Sequence, residues 1–136
     1  MGFSSSEKDN MINFSKNLIK QTGLKKISYE EFIKILRYVG IIKTLTDAPS
    51  KEEIKCCTNL QLCNEEVLLN KESSFRVGDN IVVCKKENGL NYKKRKGKVI
   101  VVGTDYITVK YQQYTECILY RTMCIFEYLV FKGGKK

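Results

Sequence analysis

Histidine and tryptophan are absent from this 136-residue chain, and proline occurs once, at Pro49. Without histidine the commonest general base near neutral pH is missing, and so is the nitrogen ligand of a mixed zinc site. The six cysteines, Cys56, Cys57, Cys63, Cys84, Cys117 and Cys124, contain no Cys-x-x-Cys pair, so no metal site is expected. Neither a Gly-x-x-x-x-Gly-Lys-Ser/Thr loop nor a Gly-x-Gly-x-x-Gly fingerprint occurs, and Gly89, Gly97 and Gly103 read as turn residues. The acidic residues of the second half, Asp79, Glu87, Asp105, Glu116 and Glu127, are scattered without a spacing that pairs them, and no cysteine has a visible activating neighbour. These absences argue against an enzyme and imply no cofactor.

No apolar run reaches eighteen residues, and no charged segment precedes an apolar one at the start, so neither a membrane span nor a secretory signal is expected. A cytoplasmic protein with reduced thiols follows, and Cys84 and Cys117, set in apolar runs, are expected to be buried. The opening Met1-Gly2-Phe3-Ser4 fits the loose N-myristoylation pattern, but bulky Phe3 after the glycine argues against that modification.

What is present is positive charge, unevenly placed. The net charge is +9; residues 1–72 carry eleven basic against ten acidic side chains, and residues 73–136 carry thirteen against five. This asymmetry separates a nearly neutral segment from a basic, partner-seeking one. The densest stretch is Lys85 to Lys98, with seven cations and one anion, set between Ile81-Val82-Val83-Cys84 and Val99-Ile100-Val101-Val102.

The first 72 residues read as a helical subdomain of three helices. Met11, Phe14, Leu18 and Ile19 recur at helical spacing and Gly23 ends the pattern, which predicts a helix over 8–22. Ser28-Tyr29-Glu30-Glu31 is a capping-box sequence opening a second helix that Gly40 closes, with Tyr29, Phe32, Ile33, Leu36 and Val39 marking one face. The β-branched run Ile41 to Thr46 predicts a short strand or extended connector. Ser50-Lys51-Glu52-Glu53 repeats the capping box and starts a third helix carrying Ile54, Cys57 and Leu60 toward the core, with residues 64–69 continuing it or adding one turn. A helix-turn-helix reader is disfavoured, because the connector from Ile41 to Pro49 is too long for that motif's tight turn.

Residues 73–136 switch to a period of two. Strands are expected over Ile81–Cys84, Gly97–Val102, Tyr106–Tyr111 and Tyr114–Tyr120, with Ile125–Phe131 as a fifth strand or a closing helical turn. In Tyr106–Tyr111 the alternation directs Ile107, Val109 and Tyr111 inward and leaves Thr108 and Lys110 wet. Five short strands in about sixty residues favour closure into a barrel, which removes exposed edges. The whole is therefore read as α+β.

The wording Phe75-x-Val-Gly-Asp-x-Ile-Val-Val, Lys96-Gly97-Lys98-Val99-Ile100-x-Val and Asp105-x-Ile-x-Val-Lys-Tyr111 resembles SH3-like barrels of the KOW and Tudor type, over about a third of the chain. That resemblance implies a five-stranded antiparallel barrel and a role in transcription, translation or RNA handling. The chain departs from it in the long, lysine-rich segment before the Gly-Lys-Val strand.

On these grounds Lys85 to Lys98 is expected to be a basic loop joining the first two barrel strands. Lys85, Lys86, Lys93, Lys94, Arg95, Lys96 and Lys98 would neutralise phosphates and Tyr92 would stack on an unpaired base, giving RNA or DNA backbone binding with little sequence preference. A second constellation, Tyr106, Tyr114, Glu116 and Arg121, would form an edge suited to a protein partner. In size, charge and lack of catalytic sets the chain also resembles phage-encoded inhibitors of host defence nucleases such as anti-CRISPR proteins, which dock on an acidic or nucleic-acid-binding protein surface.

Overall fold

The computed structural model describes residues 5–88 and 91–133. The expectations resting on Met1 to Ser4, on Gly89 and on the tail from Gly134 lie outside the described residues. The fold is α+β: helices in the first half, a five-stranded antiparallel sheet in the second. The chain divides into two compact units, Met1–Val67 with Glu87–Asn91, and Leu68–Lys86 with Tyr92–Lys136. Among the described residues no helix is long and apolar enough to cross a membrane.

In the first unit, helix α1 (Ser5–Thr22) buries Met11, Phe14 and Leu18 along one stripe. Gly23 ends it at φ +76°, a left-handed conformation that glycine adopts at no steric cost, and its amide donates to the Ile19 carbonyl. Strand β1 (Lys26–Ser28) leads directly into α2 (Tyr29–Tyr38). The capping box forms as expected: Ser28 Oγ accepts from the Glu31 amide and Glu31 Oε1 accepts from the Ser28 amide, each at 3.1 Å. Helix α3 (Lys51–Cys57) repeats the device with Ser50 and Glu53.

Glu31 does more than cap. Its carboxylate is buried, and its two oxygens also accept from the Val67 amide at 3.0 and 3.1 Å, so one side chain fastens the start of α2 to the end of the unit.

Two expectations fail in this unit for identifiable reasons. Residues 41–46 form no strand, because the Ile41 and Ile42 amides already donate to the Leu36 carbonyl as the chain folds back after Gly40; a single 3-10 turn, Leu45–Asp47, follows. Residues 64–69 form no helix. Just before them, strand β2 (Gln61–Cys63) pairs in parallel with β1, setting Ile27 opposite Leu62.

The second unit is built on the sheet order β6-β5-β4-β3-β7, with β3 (Asn80–Lys86), β4 (Tyr92–Val102), β5 (Tyr106–Lys110), β6 (Thr115–Leu119) and β7 (Tyr128–Lys132). A five-residue helix, α4 (Tyr120–Cys124), separates β6 from β7. One sheet face gathers Ile81, Val83, Val99, Ile107, Val109, Ile118 and Val130 into a core with Phe75, Tyr111, Tyr120 and Met123. The opposite face carries Val82, Cys84, Tyr92 and Leu129, also buried. Cys117 is not: it falls between inward-facing Glu116 and Ile118, so the pleat turns its thiol to solvent.

The basic segment is not a loop. β3 and β4 stay in register from Asn80↔Lys98 through Lys86↔Tyr92, so Lys93 to Lys98 lie in a strand, and just beyond that ladder the Glu87 amide donates to the Asn91 carbonyl at 2.7 Å.

Two packing consequences are measurable by urea denaturation. Glu31→Ala is expected to cost about 2 kcal/mol or more, since it leaves the Ser28 and Val67 amides without acceptors, against about 1 kcal/mol or less for half-buried Glu53→Ala, whose cap bond is open to solvent. Gly97→Ala is expected to cost roughly 1–3 kcal/mol, because a Cβ there would stand 2.4 Å from Val109 Cγ1 and 3.0 Å from Tyr111 Cδ1.

Candidate functional site

The pleat of β4 sorts its charges onto two faces. Arg95 lies opposite core residue Val83, and Lys93 lies opposite Lys85, so these three cations share the core-side face near the hairpin turn. Lys94, Lys96 and Lys98 point the other way, opposite Cys84, Val82 and Asn80, and Lys98 is also paired to Lys110 of β5. Successive same-face positions on a strand are about 6.8 Å apart, so Lys94, Lys96 and Lys98 form a straight cationic row about 14 Å long.

The two sets differ in what they touch. Lys85 Nζ stands 5.9 Å from the Tyr128 ring centroid, and the Arg95 guanidinium 5.6 Å from that of Tyr114, so both are occupied by aromatic faces. Lys93, Lys94, Lys96, Lys98 and Lys110 are exposed and, among the described residues, their ammonium groups make no hydrogen bond or ion pair. The ion pair of Lys132 with Asp79, at 2.8 Å, holds the Asp79 carboxyl below its usual range.

An open groove of about 820 Å³ lies where the row ends, lined by Asn80, Lys96, Gly97, Lys98, Lys110 and Gln112 among others. Gly97 forms part of its wall because Tyr111 packs against the strand there. Lys110, Gln112 and Asn80 were not among the expected site residues. Lys110 carried a signal, as the wet position of a cleanly alternating strand, but its pairing with Lys98 emerges only from the register.

Tyr92 does not offer its ring to a ligand. It is 2% exposed and its hydroxyl donates to the Phe126 carbonyl at 2.7 Å, bracing a residue whose φ of +65° is unusual for a bulky side chain. The tyrosine edge also divides. Tyr106 and Arg121 lie at one end of the β5–β6 hairpin, Tyr106 beside Leu119 and Arg121 in a recess with Thr104 and Asp105. Tyr114 and Glu116 lie at the other end, where Tyr114 packs on Tyr111 with ring centroids 4.9 Å apart. There the Glu116 carboxylate accepts from the Tyr111 hydroxyl at 2.9 Å and from the Tyr128 hydroxyl at 2.7 Å, so it is committed inside the unit.

Among the described residues, no cluster of three carboxylate or thiol side chains gathers to hold a metal ion. No protein-family model, curated protein or solved structure matches the chain.

Burial, reinforced by the hydrogen bond to Glu116, pushes the Tyr111 and Tyr128 hydroxyls well above their ordinary value of 10.0, and burial pushes the Cys84 thiol up to about 12. All three groups hold their protons more tightly folded than unfolded. Their contribution to stability is complete below about pH 8.5 and is lost as the pH climbs, first through the range where an unfolded thiol ionises and then above about 10, where unfolded tyrosines do. The urea midpoint is expected to fall steadily from pH 9 to 11. Tyr128→Phe should lose about 1 kcal/mol at neutral pH, having removed a donor from Glu116, and should show a shallower alkaline decline; an unchanged decline would remove Tyr128 from its cause.

Proposed function

We propose that this chain is a non-enzymatic nucleic-acid-binding protein that grips the phosphate backbone along β4 and in the groove beside it. The observation that carries this reading is the row Lys94, Lys96 and Lys98 with Lys110: four exposed ammonium groups on rigid strands, without intrachain partners among the described residues, lining or leading into one groove. A strand fixes these charges at a regular repeat, so less conformational freedom is lost on binding than from a loop. The sheet order supports an SH3-like barrel as the scaffold: β3 to β6 run as a meander and, after one helical turn, β7 returns beside β3.

A second reading, docking on a protein partner, is favoured by one feature. Tyr106 and Leu119 lie side by side on neighbouring strands, both partly exposed, next to exposed Arg121. A pull-down repeated after nuclease treatment separates the two readings, since only a protein partner is retained.

Four phosphate contacts give a slope of log affinity on log salt near −3.6, or roughly a 100-fold loss between 50 and 200 mM salt. Fluorescence anisotropy with labelled DNA and RNA is expected to show that dependence, and the triple variant Lys94→Glu, Lys96→Glu, Lys98→Glu should abolish binding with its circular dichroism spectrum unchanged. Wild-type affinity in that folded variant would end the proposal.

A further inference from the structure

The aromatic rings on and beside the strands that carry the lysines, and the one arginine of the basic segment, are already engaged inside the protein. The Tyr92 ring is buried and its hydroxyl is bound to the Phe126 carbonyl. The Tyr111 ring is buried beneath Gly97, with its hydroxyl on Glu116. Arg95, the one arginine in the basic segment, has its guanidinium over the Tyr114 ring on the core-side face, and that ring, although 45% exposed, is taken up by Arg95 and by Tyr111, away from the row of lysines. The groove itself presents the ammonium groups of Lys96, Lys98 and Lys110 and the amide side chains of Asn80 and Gln112; Tyr111 also lines it, but only 5% of that residue is exposed.

That inventory discriminates between two forms of nucleic acid. Proteins hold unpaired strands by combining backbone charge with aromatic rings on which successive bases stack. A row of lysines with no free ring supplies only the first of these. A duplex stacks its own bases and presents phosphates outward, with one charge per about 1.7 Å of axis against about 3.4 Å for a single strand. Lysine, a compact hydrated charge without the fork geometry needed at base edges, suits such a surface and reads no sequence from it.

We propose that the ligand of this groove is the sugar-phosphate backbone of a duplex rather than an unpaired strand, an inference that rests on the nucleic-acid reading above. The row and the groove contact phosphates along one flank of the helix, and the bases stay stacked within it.

The test compares 20-nucleotide single strands with the corresponding duplexes, in DNA and in RNA, by anisotropy at one fixed low salt concentration. At least one duplex is expected to bind about tenfold or more tightly than its component strands, and the DNA and RNA arms identify which duplex supplies the backbone. Single strands that bind as well as both duplexes, while Lys96→Glu with Lys98→Glu still abolishes binding, would overturn the duplex assignment and leave the nucleic-acid reading standing. No binding to any of the four probes would overturn both.

A gain-of-function variant checks the reason given. Gln112→Trp places a ring in the groove and is expected to raise single-strand affinity by roughly fivefold or more, with duplex affinity changed less than twofold. An equal gain for both forms, or no gain for the single strand, would overturn the argument from stacking.

Discussion

The close approach of β5 to β4 at Gly97 is the constraint on which the second unit rests. β4 is eleven residues long and is shared between two ladders, with β3 along Tyr92–Lys98 and with β5 along Lys98–Val102. The pairing changes hands at Lys98, and there Val109 and Tyr111 lie so near the strand that no Cβ fits at residue 97. A bulge between Val99 and Val101 then bends the strand and resets its register with β5. Through that bend one strand supplies the core with Val99 and the surface with Lys94, Lys96 and Lys98. The groove exists because both demands meet at the same place.

The hydroxyl network around Glu116 serves the same end from the other side. Glu116 sits on the core-side face of β6, where a bare carboxylate would be costly, and two tyrosine hydroxyls satisfy it. Tyr111 thereby becomes a wall element fixed at both ends, its ring against Gly97 and its hydroxyl on β6. Tyr114, Arg95 and Tyr128 close around this network. Much of the aromatic content of the second half is thus spent on positioning strands, with Tyr106 and Tyr114 the rings that remain exposed.

The helices were legible in the sequence because their signals are local. Both capping boxes, the stop at Gly23 and the apolar stripe of α1 each need only a few neighbouring residues to be read. The β1–β2 pair was not legible, since two three-residue segments 35 positions apart in sequence pair in parallel and neither has an apolar pattern of its own. The strand character of Lys93 to Lys96 was hidden for a different reason. Period two is visible only where one face is apolar, and near the hairpin turn both faces of β4 carry cations, so the alternation that buries Tyr92 and exposes Lys94 looks like a charge cluster. The same blindness made Tyr92 read as a surface ring. Inward Tyr111 was recovered correctly, because Ile107 and Val109 precede it at the same spacing.

The register also shows what that charge cluster costs. Lys85 stands opposite Lys93, and Lys98 stands opposite Lys110. Like charges placed directly across a ladder oppose pairing by a few tenths to about 1 kcal/mol each. The Tyr128 ring offsets part of this at Lys85, but nothing among the described residues does so at Lys98 and Lys110, which share the groove. Burial of Ile81, Val83, Val99, Ile107 and Val109, each contributing roughly 1.5–3 kcal/mol, makes the sheet strong enough to carry the repulsion. A sheet selected for stability alone would place an acidic residue at one of these positions. A phosphate bound in the groove, as proposed above, would relieve the repulsion that the fold otherwise bears, so a pair that is unfavourable in the free protein would become favourable in the complex. Local conflict of this kind, compensated by a consistent core beneath it, is where a functional surface is to be sought.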